Sequence, residues 1–331
     1  YVTFYKGLGT LHDKAFRVEA LATAIAPYLD AVTAEKAGRA ARLAKADLVT
    51  GLGGEFPELQ GIIGGYYAAA SGEDKVVSDA ITGHYRPQGP ADDLPATPTA
   101  MVVALADKID TLVGFFGIDA KPTGSKDPFA LRRAALGVIR IIVDGQLNLP
   151  LAAMLQVAAK GYGCTSVDPD LLPFIRDRLR GYLRDQQMRH DVVAAALANA
   201  DGDDIRLMAA RATALADFLA APDGNGLMSG WRRVNSILEA EEKKAKTTFA
   251  ASSDPALFND IEKALFTPLS ALADNHVSID KRLAALGALR SPIDVFFDEI
   301  VVNDDNSEIR RNRLGLLSMV REKMLAVADF T

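Results

Sequence analysis

The chain has 331 residues, 49% hydrophobic and 24% charged, with a formal net charge of −6 and a single cysteine, Cys164. This is the composition of an ordinary globular protein, which excludes whole-chain disorder, collagen-like repeats and coiled-coil rods; one cysteine excludes an internal disulfide and a cysteine-rich zinc site. The sequence shows no uncharged apolar run of the ~18 residues a membrane helix needs and no signal-peptide pattern, so the expected location is cytoplasmic.

Alanine is the commonest residue, and it is the best helix former because it loses no side-chain entropy on ordering. Apolar residues recur at helical spacing, as in Val18, Leu21, Ala22 and Ile25, or Leu131, Ala135, Val138 and Ile142. An all-α chain is therefore expected. The one plausible strand is the opening segment Tyr1–Tyr5, which reads as the tail of something longer.

In chain order, the first helix is predicted over 11–29 and a second over 33–52, stopped by Gly51-Leu52-Gly53-Gly54. A third starts at Glu55-Phe56-Pro57-Glu58 and runs to Ser71-Gly72, and a fourth covers 74–84. The proline-rich stretch Arg86–Pro98 is a loop. A long apolar helix follows from Thr99 to Phe116. Another should open with Asp127 as N-cap and Pro128 at its first position, then run to Asp144-Gly145. The apolar pattern pauses at Leu149-Pro150, which predicts domains 1–150 and 151–331, the second made of further helices.

Most catalytic motifs are missing. The histidines at 12, 84, 190 and 276 have no metalloprotease spacing, and no phosphate-binding loop or nucleophile elbow is present. Cys164 has no histidine nearby in sequence and reads as a structural thiol. The informative features are basic. Lys121, Lys126, Arg132, Arg133 and Arg140 cluster around a Gly-Ser-Lys turn that feeds a helix start, where free N–H groups favour phosphate. Arg176, Arg180 and Arg184 are four apart and form a stripe. Trp231-Arg232-Arg233 sets the only tryptophan beside two guanidiniums, a combination that stacks exposed bases, although a core tryptophan is the commoner case. An acidic chain confines any nucleic-acid contact to such patches.

His12-Asp13 heads the first helix, Asp47 lies on the second, and Asp107 sits in Ala106-Asp107-Lys108-Ile109-Asp110. This order resembles the helical domain type named for a metal-binding His-Asp pair. Ala46 stands where the paired histidine belongs, so His12, Asp47 and Asp107 are expected to be vestigial ligand positions that hold no metal.

Larger stretches carry a second resemblance. They are Lys45-Ala46-Asp47-Leu48-Val49-Thr50, Gly54–Gly61, Ala104–Gly114, Pro122–Ala135, Arg233–Leu238, Arg313-Leu314-Gly315-Leu316-Leu317 and the final Val327-Ala328-Asp329-Phe330. Together they resemble the β subunit family of the bacterial two-subunit glycyl-tRNA synthetase, in its C-terminal half, which places Tyr1 inside a longer subunit. The resemblance implies a degenerate His-Asp-type helical domain followed by a helical-bundle anticodon-binding domain. It implies tRNA(Gly) and a separate α subunit as partners, with glycine activation, ATP and Mg on the α subunit and no cofactor or catalytic centre here. No membrane or DNA partner is expected.

The family's Asp-Ala-Leu-Arg stretch is Ser307-Glu308-Ile309-Arg310 here. Arg310 and Arg313, three apart, are expected to share a helix face and hold phosphates. The expected tRNA-binding residues are Lys126, Arg132 and Arg133 on the acceptor or α-subunit side, and Arg232, Arg233, Arg310 and Arg313 on the anticodon side. The alternatives are a metal-dependent phosphohydrolase of the His-Asp type and a purely architectural assembly module.

Overall fold

A computed structural model describes residues 2–198, 203–272 and 279–328. Tyr1, the Asp329-Phe330 end of the last motif and His276 lie outside them. The described chain is helical apart from one small hairpin, as the alanine content predicts. Two compact units divide it: Tyr1–Tyr182 with Gly202–Ala209, and Leu183–Asp201 with Ala210–Thr331.

The first unit opens with β1 (Thr3–Tyr5) paired antiparallel to β2 (Gly9–Thr10). The opening strand thus finds its partner a few residues later in the same chain. Tyr5 also packs on Phe115 and Phe129, with ring centroids 5.1 and 5.0 Å away. Thr10 then caps α1 (Leu11–Ile25) in a capping box with Asp13.

Next come α2 (Ala34–Leu43), a short 3-10 turn at Ala46–Val49, α3 (Gly51–Glu55), α4 (Ile62–Ala70) and α5 (Lys75–Gly83). The glycines at 51, 53 and 54, expected to stop a helix, instead lie within α3, and the long helix expected over 33–52 is broken at Ala44-Lys45. The centre of the unit is α6 (Pro98–Gly117), opened by Thr97 as N-cap with Pro98 behind it. It is buried nearly all round because α1, α2, α5, α7 (Leu131–Asp144) and α8 (Leu151–Gly161) surround it. The predicted stripe Leu131, Ala135, Val138 and Ile142 is the buried face of α7.

Two boundaries differ from expectation. First, α7 begins at Leu131 rather than Pro128, because Ala130 takes a left-handed conformation with φ 55°. Asp127 still caps it from further upstream: its carboxylate accepts from the Leu131 and Arg132 amides at 2.8 and 2.9 Å. Second, the first compact unit does not end near residue 150. Helix α8 packs on α1 and α6, and the unit continues through Tyr182 on α9 (Leu171–Asp185), whose hydroxyl meets the Asp144 carboxylate.

The second unit contains α10 (His190–Ala198), most of α11 (Ile205–Ala220), α12 (Pro222–Ala245), α13 (Asp260–Ser270), α14 (Ile279–Gly287), α15 (Arg290–Glu299) and α16 (Ser307–Leu325). Its long helix α12 carries Leu227, Trp231, Val234 and Leu238 into the core against α14, α15 and α16.

Candidate functional site

Helix α6 is apolar around its whole circumference yet carries Asp107 and Asp110, both buried. Buried carboxylates need paired partners, and neighbouring elements supply them. The Lys14 ammonium, from α1, lies 3.0 Å from Asp107 and 3.0 Å from Asp110. Lys45, at the break after α2, reaches Asp107 at 2.9 Å and lies 3.7 Å above the Tyr85 ring. Arg17 completes the second pair at 2.8 Å from Asp110, which also accepts from the Tyr162 hydroxyl at 3.1 Å. Burial alone would push the Asp107 carboxyl up, but Lys14 and Lys45 together hold it well below the usual carboxylate range.

Fully buried His84 joins the cluster. Its Nδ1–H donates to the Ile81 carbonyl at 2.6 Å, leaving Nε2 to accept from Lys45 at 2.9 Å. Burial, then the Lys45 charge, lowers its pKa to about 3, so the ring is neutral. Lys108 points the other way and donates to the carbonyls of Tyr85 and Arg86 at 3.1 and 2.9 Å.

The predicted metal-ligand positions are not gathered here. His12 is exposed, with its ring 4.6 Å from Phe16. Asp47 is buried and accepts from the Gly61 amide at 2.6 Å. Asp107 is covered by two ammonium groups. Among the described residues no three His, Cys, Asp or Glu side chains form a metal-holding group. A donor set whose carboxylate already faces two cations does not fit a divalent ion. Sequence reasoning missed Lys14, Lys45, His84 and Asp110. The available signal was Lys14 standing four residues before Val18 on the apolar stripe of α1.

The second unit holds an open groove of about 760 Å³ between the end of α12, the loop after it and the first turns of α16. Lys244, Thr247, Thr248, Ser307, Arg310 and Arg311 contribute polar groups to its lining. The loop is fixed at three points. The Phe249 amide donates to Glu242 at 3.3 Å, and Glu242 is held by Arg321 at 3.0 Å. Asn312 both accepts from the Asp254 amide at 2.6 Å and donates to its carbonyl at 3.0 Å. Gly315 lets the Ser252 carbonyl lie directly on α16, where any Cβ would overlap it. Arg310 and Arg311 are exposed and make no ion pair among the described residues.

The seven cations expected to touch RNA divide into two sets. Lys126, Arg133, Arg232 and Arg310 are exposed, and their charged groups have no protein partner among the described residues. The other three are engaged within the chain. Arg132 donates to the Gly124 carbonyl at 2.6 Å and closes its own turn. Arg233 lies 4.4 Å over the Phe297 ring. Arg313 pairs with Glu262 at 2.7 Å and Asp304 at 2.8 Å. Arg310 lines the groove, whereas Arg313 is drawn into an internal ion pair. Elsewhere Arg140 ties down the 86–98 loop through the carbonyls of Gly89 and Asp92, and Cys164 is exposed.

The first unit thus holds an ion cluster whose charges pair with one another, and the second a groove lined by Arg310 and Arg311, which make no ion pair among the described residues. The family model for the glycyl-tRNA synthetase β subunit matches residues 1–198. Two relatives named glycine–tRNA ligase β subunit, from Phenylobacterium zucineum (strain HLK1) and Ruegeria sp. (strain TM1040), are 48% and 46% identical over the full chain. The chain spans about half of their length, 49% and 48% respectively. It belongs to the glycyl-tRNA synthetase β-subunit family, whose members are subunits of an aminoacyl-tRNA synthetase. No helix among the described residues is long and apolar enough to cross a membrane.

Proposed function

We propose that this chain is a tRNA-binding part of a cytoplasmic glycine–tRNA ligase, positioning tRNA(Gly) while a separate α subunit, with its own ATP and Mg, attaches glycine. The observation that carries the reading is the groove beside α16, where Arg310 and Arg311 converge with several hydroxyl groups on one concave surface. Unpaired guanidiniums with flanking hydroxyls suit a sugar-phosphate backbone, which supplies affinity without sequence information. Lys126 and Arg133, at the start of α7, provide a second cationic patch on the first unit. The first unit then acts as a scaffold built on a degenerate His-Asp-type plan, and the helices of the second as the anticodon-binding part. Lys14 and Lys45 against Asp107 argue against a phosphohydrolase.

Fluorescence anisotropy with labelled tRNA(Gly) tests this. The chain binds, affinity falls steeply with salt, and replacing Arg310 and Arg311 together with Ala reduces the salt slope by roughly one unit per lost phosphate contact. Unchanged affinity and slope in that double variant would remove the groove from the reading. Binding that appears only when the α subunit is added would favour the architectural alternative.

A further inference from the structure

A second concavity lies in the same unit and shares no lining residue with the α16 groove. It has a volume of about 470 Å³ and lies between α10 and the first half of α12. Its floor is apolar: the indole of Trp231, which is only 2% exposed, together with Leu219 and Met228. Its rim carries the amide of Asn225, the guanidinium of Arg232 and the ring of His190. These three side chains are exposed and make no hydrogen bond or ion pair among the described residues.

The backbone explains why these groups meet. Gly224 permits the tight corner between α11 and α12, since a Cβ there would overlap the Phe218 carbonyl. That corner sets Leu219 beside Asn225. Nearly two turns further on, Gly230 allows α12 to close on Ile293 of α15, because a Cβ would stand 2.8 Å from its methyl group. The helix is thereby fixed with Trp231 facing inward and Arg232 at the rim.

We propose that this pocket receives a single unstacked nucleobase of single-stranded RNA, an assignment that rests on the RNA-binding reading and extends it to a specific subsite. A base has a flat apolar body and a polar edge, and the pocket has the matching division. The apolar floor receives the ring, and the Asn225 amide, one donor face and one acceptor, meets the edge. Arg232 lies where the attached phosphate or the outer face of the base would come. A bare phosphate does not use an apolar floor, and an apolar protein side chain would leave Asn225, His190 and Arg232 covered without partners. Duplex RNA keeps its bases stacked and cannot enter.

Trp231 is the only tryptophan in the chain, so its emission reports on this pocket alone. The experiment titrates the chain with a short single-stranded oligoribonucleotide of mixed sequence, and separately with the same sequence annealed to its complement. Anisotropy and tryptophan emission are read together. The single strand should change Trp231 emission with the midpoint seen in anisotropy, while the duplex should bind and leave the emission unchanged. Asn225→Ala and Arg232→Met, both at exposed positions, should each weaken single-strand binding by roughly tenfold and leave the thermal midpoint as it was, and Asn225→Ala, which removes no charge, should leave duplex binding as it was.

Anisotropy that saturates with a silent tryptophan overturns the pocket and leaves the RNA-binding reading standing. Unaltered single-strand affinity in both variants overturns it as well. Absence of any anisotropy change overturns the RNA-binding reading, and the pocket with it.

Discussion

The two units use the same chemistry to opposite ends. In the first, Lys14 and Lys45 are drawn from two segments onto carboxylates of α6 and sealed away from water. In the second, Arg310 and Arg311 stand on the first turns of α16 with no carboxylate paired to them among the described residues. The difference lies in what faces each charge. Arg313 shows this within one helix: three residues from Arg310, it meets Glu262 and Asp304 and becomes part of the framework. A cation is available for a ligand only where the fold leaves it unneutralised.

The sharpest way to break this comparison is at Asp107. Asp107→Ala leaves Lys14 and Lys45 in a buried site short of one carboxylate and should cost about 3–5 kcal/mol in urea unfolding. A loss below about 1 kcal/mol would mean that the cluster is not a sealed one. Gly315→Ala pushes the Ser252 carbonyl off α16 and should cost about 1–3 kcal/mol, with weaker tRNA binding because the groove wall moves. Unfolding curves paired with anisotropy read both effects.

His84 gives a pH signature. Its folded pKa of about 3 lies below the ordinary histidine value of ~6.5. The unfolded chain therefore takes up a proton that the folded chain refuses, and the stability is fully present only above pH ~6.5. Asp107, held well below its ordinary value of ~3.9, acts in the same direction at lower pH. Unfolding free energy should fall by up to about 1.4 kcal/mol per pH unit as pH drops from ~6.5 toward 4, and His84→Gln should flatten that slope.

At the other extreme, Arg310→Ala with Arg311→Ala should change stability by no more than about 0.5 kcal/mol while weakening RNA binding. A chelator should leave the unfolding curve where it is, since Asp107 is already balanced by lysine. Loss of stability on chelation would overturn that account of the cluster.

Much of this was legible in the sequence, within one kind of information. The stripes on α1 and α7 were readable because they depend only on spacing along a helix. So is the capping role of Asp127, although the helix starts three residues later than the motif predicts, since the left-handed turn at Ala130 leaves no mark in the residue types. The ion cluster was not readable. Lys14 meets Asp110 across 96 positions, and Lys45 meets Asp107 across 62. Local spacing treats each of these residues as exposed. The same limit explains Arg310 and Arg313: helical spacing places them side by side, but Glu262, 51 positions away, separates their roles.

The cluster also constrains how the first unit can be assembled. It takes two cations from α1, one from the junction after α2, two carboxylates from α6 and an imidazole from just past α5. Slide or rotate any of these segments by a single residue and a charge is stranded in the core, so near-native packings that would satisfy the apolar surfaces are penalised. The ions thus serve as a combination lock on helix register, selecting one arrangement among several that alanine-rich surfaces, smooth and nearly interchangeable, would otherwise tolerate.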